Sequence, residues 1–320
     1  MLVALLAHLA ICLAQPEGTT PARPAPASPP PQSPTAQPAA AGVTGEAATA
    51  EELLDRLERA GNDLAALTAQ VKYTRVLSGI EGQETQTRQG DLYFEAMDAG
   101  QSPTAEPRRR FAVHFDQLRL GQERRPEDRW FIFDGQWLVE KDGLARQLNK
   151  RRVVPPGEVA DPLRLGEGPF PLPIGQARRD ILARYRATLL DPRQDWPGDQ
   201  PFPAYMADTY QLHLVAHPDR PDTGEFREVR IWYRKADLLP RLARTINTDG
   251  TSTEVLLINL KTFAAAAGTA APDNHPIPPG VFDTSAPTGW NVHVDEFRRP
   301  VDEKQGEPGI PAGPRPDQGR

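Results

Sequence analysis

Cysteine is almost absent from this chain. Cys12 is the only one in 320 residues, so no disulfide forms within one molecule and no paired-thiol site for metal or redox work is available. The linear signatures of catalysis are missing as well: there is no HExxH, no GxSxG and no phosphate-binding loop. Six histidines are scattered along the chain, and His213 and His217 on a regular strand would lie about 13 Å apart at ~3.3 Å per residue, too far to share a metal. A net charge of −6 is mild and leaves no footprint for nucleic acid. Arginines do gather from Arg108 to Arg129, but acidic residues interrupt them, which reads as solvated strand ends. No apolar run is long enough to cross a bilayer; the candidate, Leu2 to Ala14, falls short. No enzyme activity, metal or cofactor is therefore expected, and a hydrolase would need an active site assembled in space from groups that no motif announces.

Proline, by contrast, is abundant, at 35 residues, and it is concentrated at the ends. Residues 1–14 read as the apolar region of a signal peptide, with small residues near Ala14 suited to cleavage. That implies export to the periplasm. No Lys or Arg precedes the run, as a misassigned start codon would explain. "LAIC" ending at Cys12 is similar to a lipidation site, but Ile11 stands where a small residue belongs, so a membrane anchor at Cys12 is the lesser reading. Residues 15–48, nearly all Pro, Ala, Ser, Thr, Gln and Gly, cannot bury enough apolar surface to offset their ordering entropy and read as a linker. Residues 298–320 read as a disordered tail. A β-rich domain is expected over 49–297.

Thr49 and Glu52 fit a capping box, and Leu53, Leu57, Ala60, Leu64, Leu67 and Val71 recur at helical steps, predicting an amphipathic helix up to Val71. Gly61 interrupts it. The period then becomes two. "VKYTRVLSG", "TRQGDLYFEAM" and "RRRFAVHFDQLRL" predict strands. "WFIFDGQWLVEKDGLARQL", from Trp130, predicts three more, joined by tight turns at Asp134-Gly135 and Asp142-Gly143 with positive φ at the central positions. Here Trp130 and Ile132 face one side and Phe131 and Phe133 the other, so both faces are apolar and both need a cover. A long Pro-rich loop, Pro155 to Pro173, precedes a second predicted helix from Ile174 with Ile181, Leu182, Tyr185 and Leu189 on one face. Four or five strands complete the chain, with turns at Ala236-Asp237 and at "NTDG" before Thr251, and "GVFDTSAPTGWNVHV" closes the sheet. Helices packed on one antiparallel sheet make an α+β fold.

From Glu51 to Asp295 this order resembles the LolA-like family of periplasmic lipoprotein carriers. The resemblance rests on Gly90-Asp91-Leu92-Tyr93-Phe94, on Arg108 to Phe111, on "FIFDGQWLVEKD", on "IWYRKADLLPRLARTINTDGTSTEVLLINLK", and on Pro279, Phe282, Pro287, Gly289 and Val292. The insertion at 98–106, the long Pro155–Pro173 loop, the Arg and Phe spacing and the linker depart from the family pattern. The resemblance implies a strongly curved antiparallel sheet forming an unclosed β-barrel with a helical lid, as in LolA and LolB, around an apolar cavity for acyl chains. It implies a monomeric carrier of lipoproteins or lipids that receives from an inner-membrane donor and delivers to an outer-membrane acceptor. Phe94, Phe111, Val113, Phe115, Trp130, Ile132, Phe133, Trp137, Leu163, Leu165 and Phe170 are the expected lining. Arg108, Arg109 and Arg110 are the expected headgroup or partner contacts, and the Pro155–Pro173 loop with its following helix is the expected lid. A lipid-sensing regulatory or interaction domain of the envelope is the alternative.

Overall fold

The computed structural model describes residues 46–62, 64–79, 82–97, 108–153, 165, 174–198, 200–219, 226–264 and 277–296. The leader, most of the Pro-rich linker, Leu163, Phe170 and the C-terminal tail lie outside the described residues. The chain enters helix α1 (Ala50–Asn62) through the expected cap. The Glu52 N–H donates to Thr49 Oγ1 at 3.1 Å, and Glu52 Oε2 accepts from the Ala48 N–H at 3.0 Å, so two otherwise orphaned donors are satisfied. Ala47, assigned to the linker by composition, is buried, and its N–H donates to Tyr210 Oη at 3.0 Å. The folded body therefore starts ahead of Thr49.

The predicted first helix is too long. It stops at Asn62, and Leu64, Leu67 and Val71 lie on strand β1 (Leu64–Gly79). Leu67, Ala69 and Val71 also alternate with Thr68, Gln70 and Lys72, so the same residues satisfy a period of two. Long ladders on both sides of β1, to β2 (Gly82–Met97) and β11 (Ser252–Ala264), decide the matter. The second predicted helix shortens likewise to α2 (Arg178–Arg184), because Tyr185 and Leu189 belong to β7 (Tyr185–Leu190), which pairs with β8 (Thr209–Ala216). The remaining strands are β3 (Arg108–Leu120), β4 (Glu123–Phe133), β5 (Trp137–Asp142), β6 (Gln147–Arg152), β9 (Phe226–Arg234), β10 (Pro240–Asn247) and β12 (Asn291–Asp295).

Among the described residues these form one 12-stranded sheet in the order β12-β6-β5-β4-β3-β2-β1-β11-β10-β9-β8-β7. Its ends do not pair, so the sheet is unclosed. Every ladder is antiparallel except β12 on β6, which is parallel. One buried cluster joins Leu138 on β5 to Tyr185 on β7 beneath Leu53, Leu54 and Leu57 of α1. Nine strand spacings would hold those strands about 43 Å apart in a flat sheet, so the sheet curves around α1.

Alternation gives each face its own cover. The concave face carries Leu67, Phe94, Phe111, Phe133, Leu212, Ile231 and Leu257 toward the helices. The convex face carries Ala112, Ile132, Val139 and Leu148, which pack with Ile277 and Val281 and, at the margin, Phe282, Ala286 and Trp290. That C-terminal segment is the second cover the "WFIF" stretch requires. Further along the convex face, Met206, Trp196 and Phe202 cover Trp232 and Leu242.

Both Asp-Gly turns are looser than expected. Asp134 Oδ1 accepts from the N–H groups of Gln136 and Trp137 at 3.0 and 2.8 Å, and Gly135 takes φ +103°. In the second turn Asp142 Oδ1 accepts from the Ala145 N–H at 2.8 Å, and Arg146, not Gly143, takes the positive φ. In each, the Asp side chain stands in for a turn carbonyl. The Ala145 N–H holds the Asp142 carboxyl below its ordinary pKa, against the effect of burial and with help from Arg129. The N–H and hydroxyl of Ser285 do the same for Asp283 in the convex cover. A carboxyl with a depressed folded pKa stabilises the fold above its unfolded pKa and loses that contribution as pH falls through the folded value. The melting temperature is expected to change little from neutral pH to about pH 4 and to drop below it, with a smaller acid loss in Asp142→Asn. Thermal melts across that range check this. Core packing makes a second prediction: Ile132→Ala is expected to cost about 2–5 kcal/mol in denaturant unfolding, as a residue sealed on the convex side rather than facing solvent.

Candidate functional site

Six of the expected lining residues come together. Phe94, Phe111, Val113, Phe115, Phe133 and Leu165 share the concave cluster and are each 0–3% exposed. The ladders place them side by side, Phe94 opposite Phe111 and Phe111 opposite Phe133, and the last two rings stack at 6.1 Å. Trp130, Ile132 and Trp137 do not join them. Trp130 pairs with His114, and Ile132 with Ala112 and Val139, which puts all three on the convex side. Trp130 stacks on His114 at 4.1 Å, and Trp137 lies under Lys150 and Arg152. A strand's period of two separates these sets, so one lining cannot include both.

The same alternation divides the arginines. Arg110 faces outward, paired with Glu95 and 4.1 Å above the Phe282 ring. Arg109 faces inward and is buried, its Nη1 donating to the Ile174 carbonyl at 2.9 Å and, more loosely, to that of Gly175 at 3.4 Å. Of Arg108, the structure fixes its place at the start of β3. Arg109 thus ties the sheet to the segment leading into α2, and Arg110 contacts the convex cover.

That segment and α2 form the concave cover. Leu165 inserts into the apolar cluster with its backbone held at both ends: its N–H donates to Gln176 Oε1 at 3.2 Å, and its carbonyl accepts from Arg184 Nη1 at 2.6 Å. Arg178 joins α2 to α1 through Asp55 at 3.1 Å and through Glu51, and the Arg178 N–H donates to Glu58 Oε2 at 2.9 Å. Gly61 and Gly175 let the two backbones meet. A Cβ on Gly61 would fall 2.1 Å from Gly175 Cα, and Gly175 itself takes φ +65°. Sequence reasoning missed these ties. The available signal was Gly61, which reads as a weak point in α1 and is instead the place where the cover sits down.

Polar chemistry on the concave face is sparse. Burial pushes the Tyr185 hydroxyl up in pKa, opposed by Arg184 beside it. Among the described residues no group of three or more His, Cys, Asp or Glu is placed to hold a metal, and no helix is long and apolar enough to cross a membrane.

The arrangement defines a class: an unclosed, mostly antiparallel sheet whose apolar concave face is covered by short helices. No family model and no curated protein matches the sequence. Solved structures similar to this chain include an uncharacterized conserved protein from Thermus thermophilus, at 13% identity over 77% of this chain and 98% of that one, TM-score 0.39. A structure of the Pseudomonas aeruginosa MucA/MucB complex shares 15% identity over 68% of this chain and 59% of that one, TM-score 0.33. A LolA superfamily protein from Nitrosomonas europaea shares 14% identity over 69% and 96%, TM-score 0.27. The family that the sequence resembles is thus also found among the structural neighbours.

Replacing Arg109 by Met keeps the aliphatic stem and removes the donors. Hydrogen bonds from a charged group are worth about 1.5–3 kcal/mol, so amide exchange over 174–184 is expected to accelerate at least tenfold while β8 to β10 keep their protection. Unchanged exchange in the cover would show that Arg109 does not hold it. Gly61→Ala, which forces the two backbones apart, is expected to cost about 1–3 kcal/mol and to loosen the same amides.

Proposed function

We propose that this protein is a non-enzymatic carrier of the cell envelope, exported to the periplasm, that holds acyl chains of lipoproteins or lipids against the concave face of the sheet. The observation that carries the reading is the mismatch between that face and its cover. The face is continuous, aromatic-rich and apolar, whereas the cover meets it with Leu165, Ile174 and Ile181 and is otherwise tied by side chain-to-carbonyl bonds and a half-exposed ion-pair cluster. Exposed pairs of that kind contribute about 0–1 kcal/mol each. Because α2 leads directly into β7, such a cover lifts by pivoting at Arg184 on the sheet edge.

An acyl chain would take the place of the cover's apolar side chains. Burial is worth ~0.8 kcal/mol per methylene, so a sixteen-carbon chain gains ~12 kcal/mol before association costs reduce it. Cargo held that strongly leaves slowly through water, so reception and delivery proceed by direct contact with donor and acceptor at the lifted cover. Arg109 is the switch point in this scheme: its bonds to Ile174 and Gly175 stabilise the closed form and break on opening.

Photo-crosslinking with a diazirine-bearing palmitate tests the reading at residue level. Adducts on Leu67, Phe94, Phe111 or Phe133 are the expected result, with higher yield in Arg109→Met. Adducts confined to the Trp130 and Trp137 face would contradict it.

A further inference from the structure

Among the described residues β12 pairs with β6 alone, so its outer edge carries no strand. All five of its residues are exposed, and Val292 and Val294 keep 50% and 49% of their surface in water. An open edge of this kind is a template for another strand. It carries no lysine, no proline and no bulge to discourage one.

The parallel ladder fixes which backbone groups face that edge. The Asn291 N–H donates to the Arg146 carbonyl at 2.9 Å, while Asn291 itself stands beside Gln147. Asn291, His293 and Asp295 therefore turn their N–H and C=O groups toward β6, and Val292 and Val294 turn theirs outward. The Trp290 N–H is already given to the Pro287 carbonyl, so the outward row begins at Val292. Residues 297–320 suit that row poorly, because their sequence holds five prolines, and proline donates nothing to a ladder.

The row is complementary to itself. In an antiparallel pairing that sets His293 opposite its own counterpart, Val292 of each copy meets Val294 of the other. Each such pair exchanges both of its backbone bonds, which makes four hydrogen bonds and uses every outward group of the two valines. The side chains agree with this register. Val292 lies beside Leu148 and shares its convex side, so the four valines gather on one face. On the other face Asn291 comes opposite Asp295, an amide donor against a carboxylate, and no carboxylate meets another.

We infer that β12 pairs with β12 of a second copy of this chain about a two-fold axis at His293, in place of the monomer that the family resemblance implies. The axis stands perpendicular to the sheet, so the same patch serves both copies and the assembly closes at two. A five-residue strand pair falls short of the ~1,200 Å² of a stable specific interface, so the dimer is reversible and depends on concentration. The inference does not rest on the carrier reading, because β12 lies outside the concave cluster.

Sedimentation velocity of the full chain is expected to show self-association that rises with concentration, and amide exchange at Val292 and Val294 is expected to slow with it. Val294→Pro removes an outward donor and no bond to β6. It is expected to weaken association about tenfold or more with unchanged melting temperature. In a Cys12→Ser background, His293→Cys is expected to oxidise to a linked dimer, since facing Cα atoms of such a pair lie about 4.5 Å apart. Val292→Cys, whose two copies sit out of register, is expected to link at least tenfold more slowly. A monomer at every concentration, full association in Val294→Pro, or equal linking through both cysteines would each overturn the proposal. So would protection of the Val292 and Val294 amides that ignores concentration, since the edge would then be filled within one chain.

Discussion

A β-strand puts successive side chains on opposite faces, and where both sets are apolar the sheet must be covered twice. Burying apolar surface is worth roughly 25 cal/mol per Å², so neither face of β3 to β5 can be left in water. The rest of the architecture follows from the two covers. The concave one takes α1, Leu165 and α2. The convex one takes the segment from Ile277 to Trp290.

Each cover runs into a paired edge strand and adds its own side-chain contacts to the sheet. The convex one continues directly into β12, whose backbone pairs with β6 from Asn291 to Asp295, so removing it means breaking a ladder at the sheet edge. The concave one runs directly from Arg184 into β7 at the other sheet edge, where the Arg184 carbonyl accepts from the His217 N–H at 3.0 Å. It also meets the sheet through apolar side chains and Arg109, and it meets α1 through Arg178.

Local chemistry announced much of this. Strand β3 matches the stretch read from its alternation, the Thr49 and Glu52 cap forms, and the turns at Asp134, Asp142 and Asn247 fall where Asp and Gly mark them. Helix ends were harder. Leu64, Leu67 and Val71 suit a period of 3.6 and a period of two equally well, and only pairing with Leu257 and Phe94 on distant strands settles them. The candidate site was legible as a set of aromatics but not as a surface. Its faces separate once alternation is followed strictly from Trp130 to Phe133 and carried across the ladders. The Arg109 tie reaches residues 65 positions away, and the close approach of Gly61 to Gly175 depends on the loop between. Neither leaves a periodic trace in the chain.

Native mass spectrometry of the protein purified from its own envelope, before and after delipidation, tests the central claim most directly. The account predicts a released adduct of acyl-chain mass and renewed uptake of an acyl fluorophore by the stripped protein. A clean unliganded mass together with no uptake would contradict it, and the concave face would then be a permanently packed core.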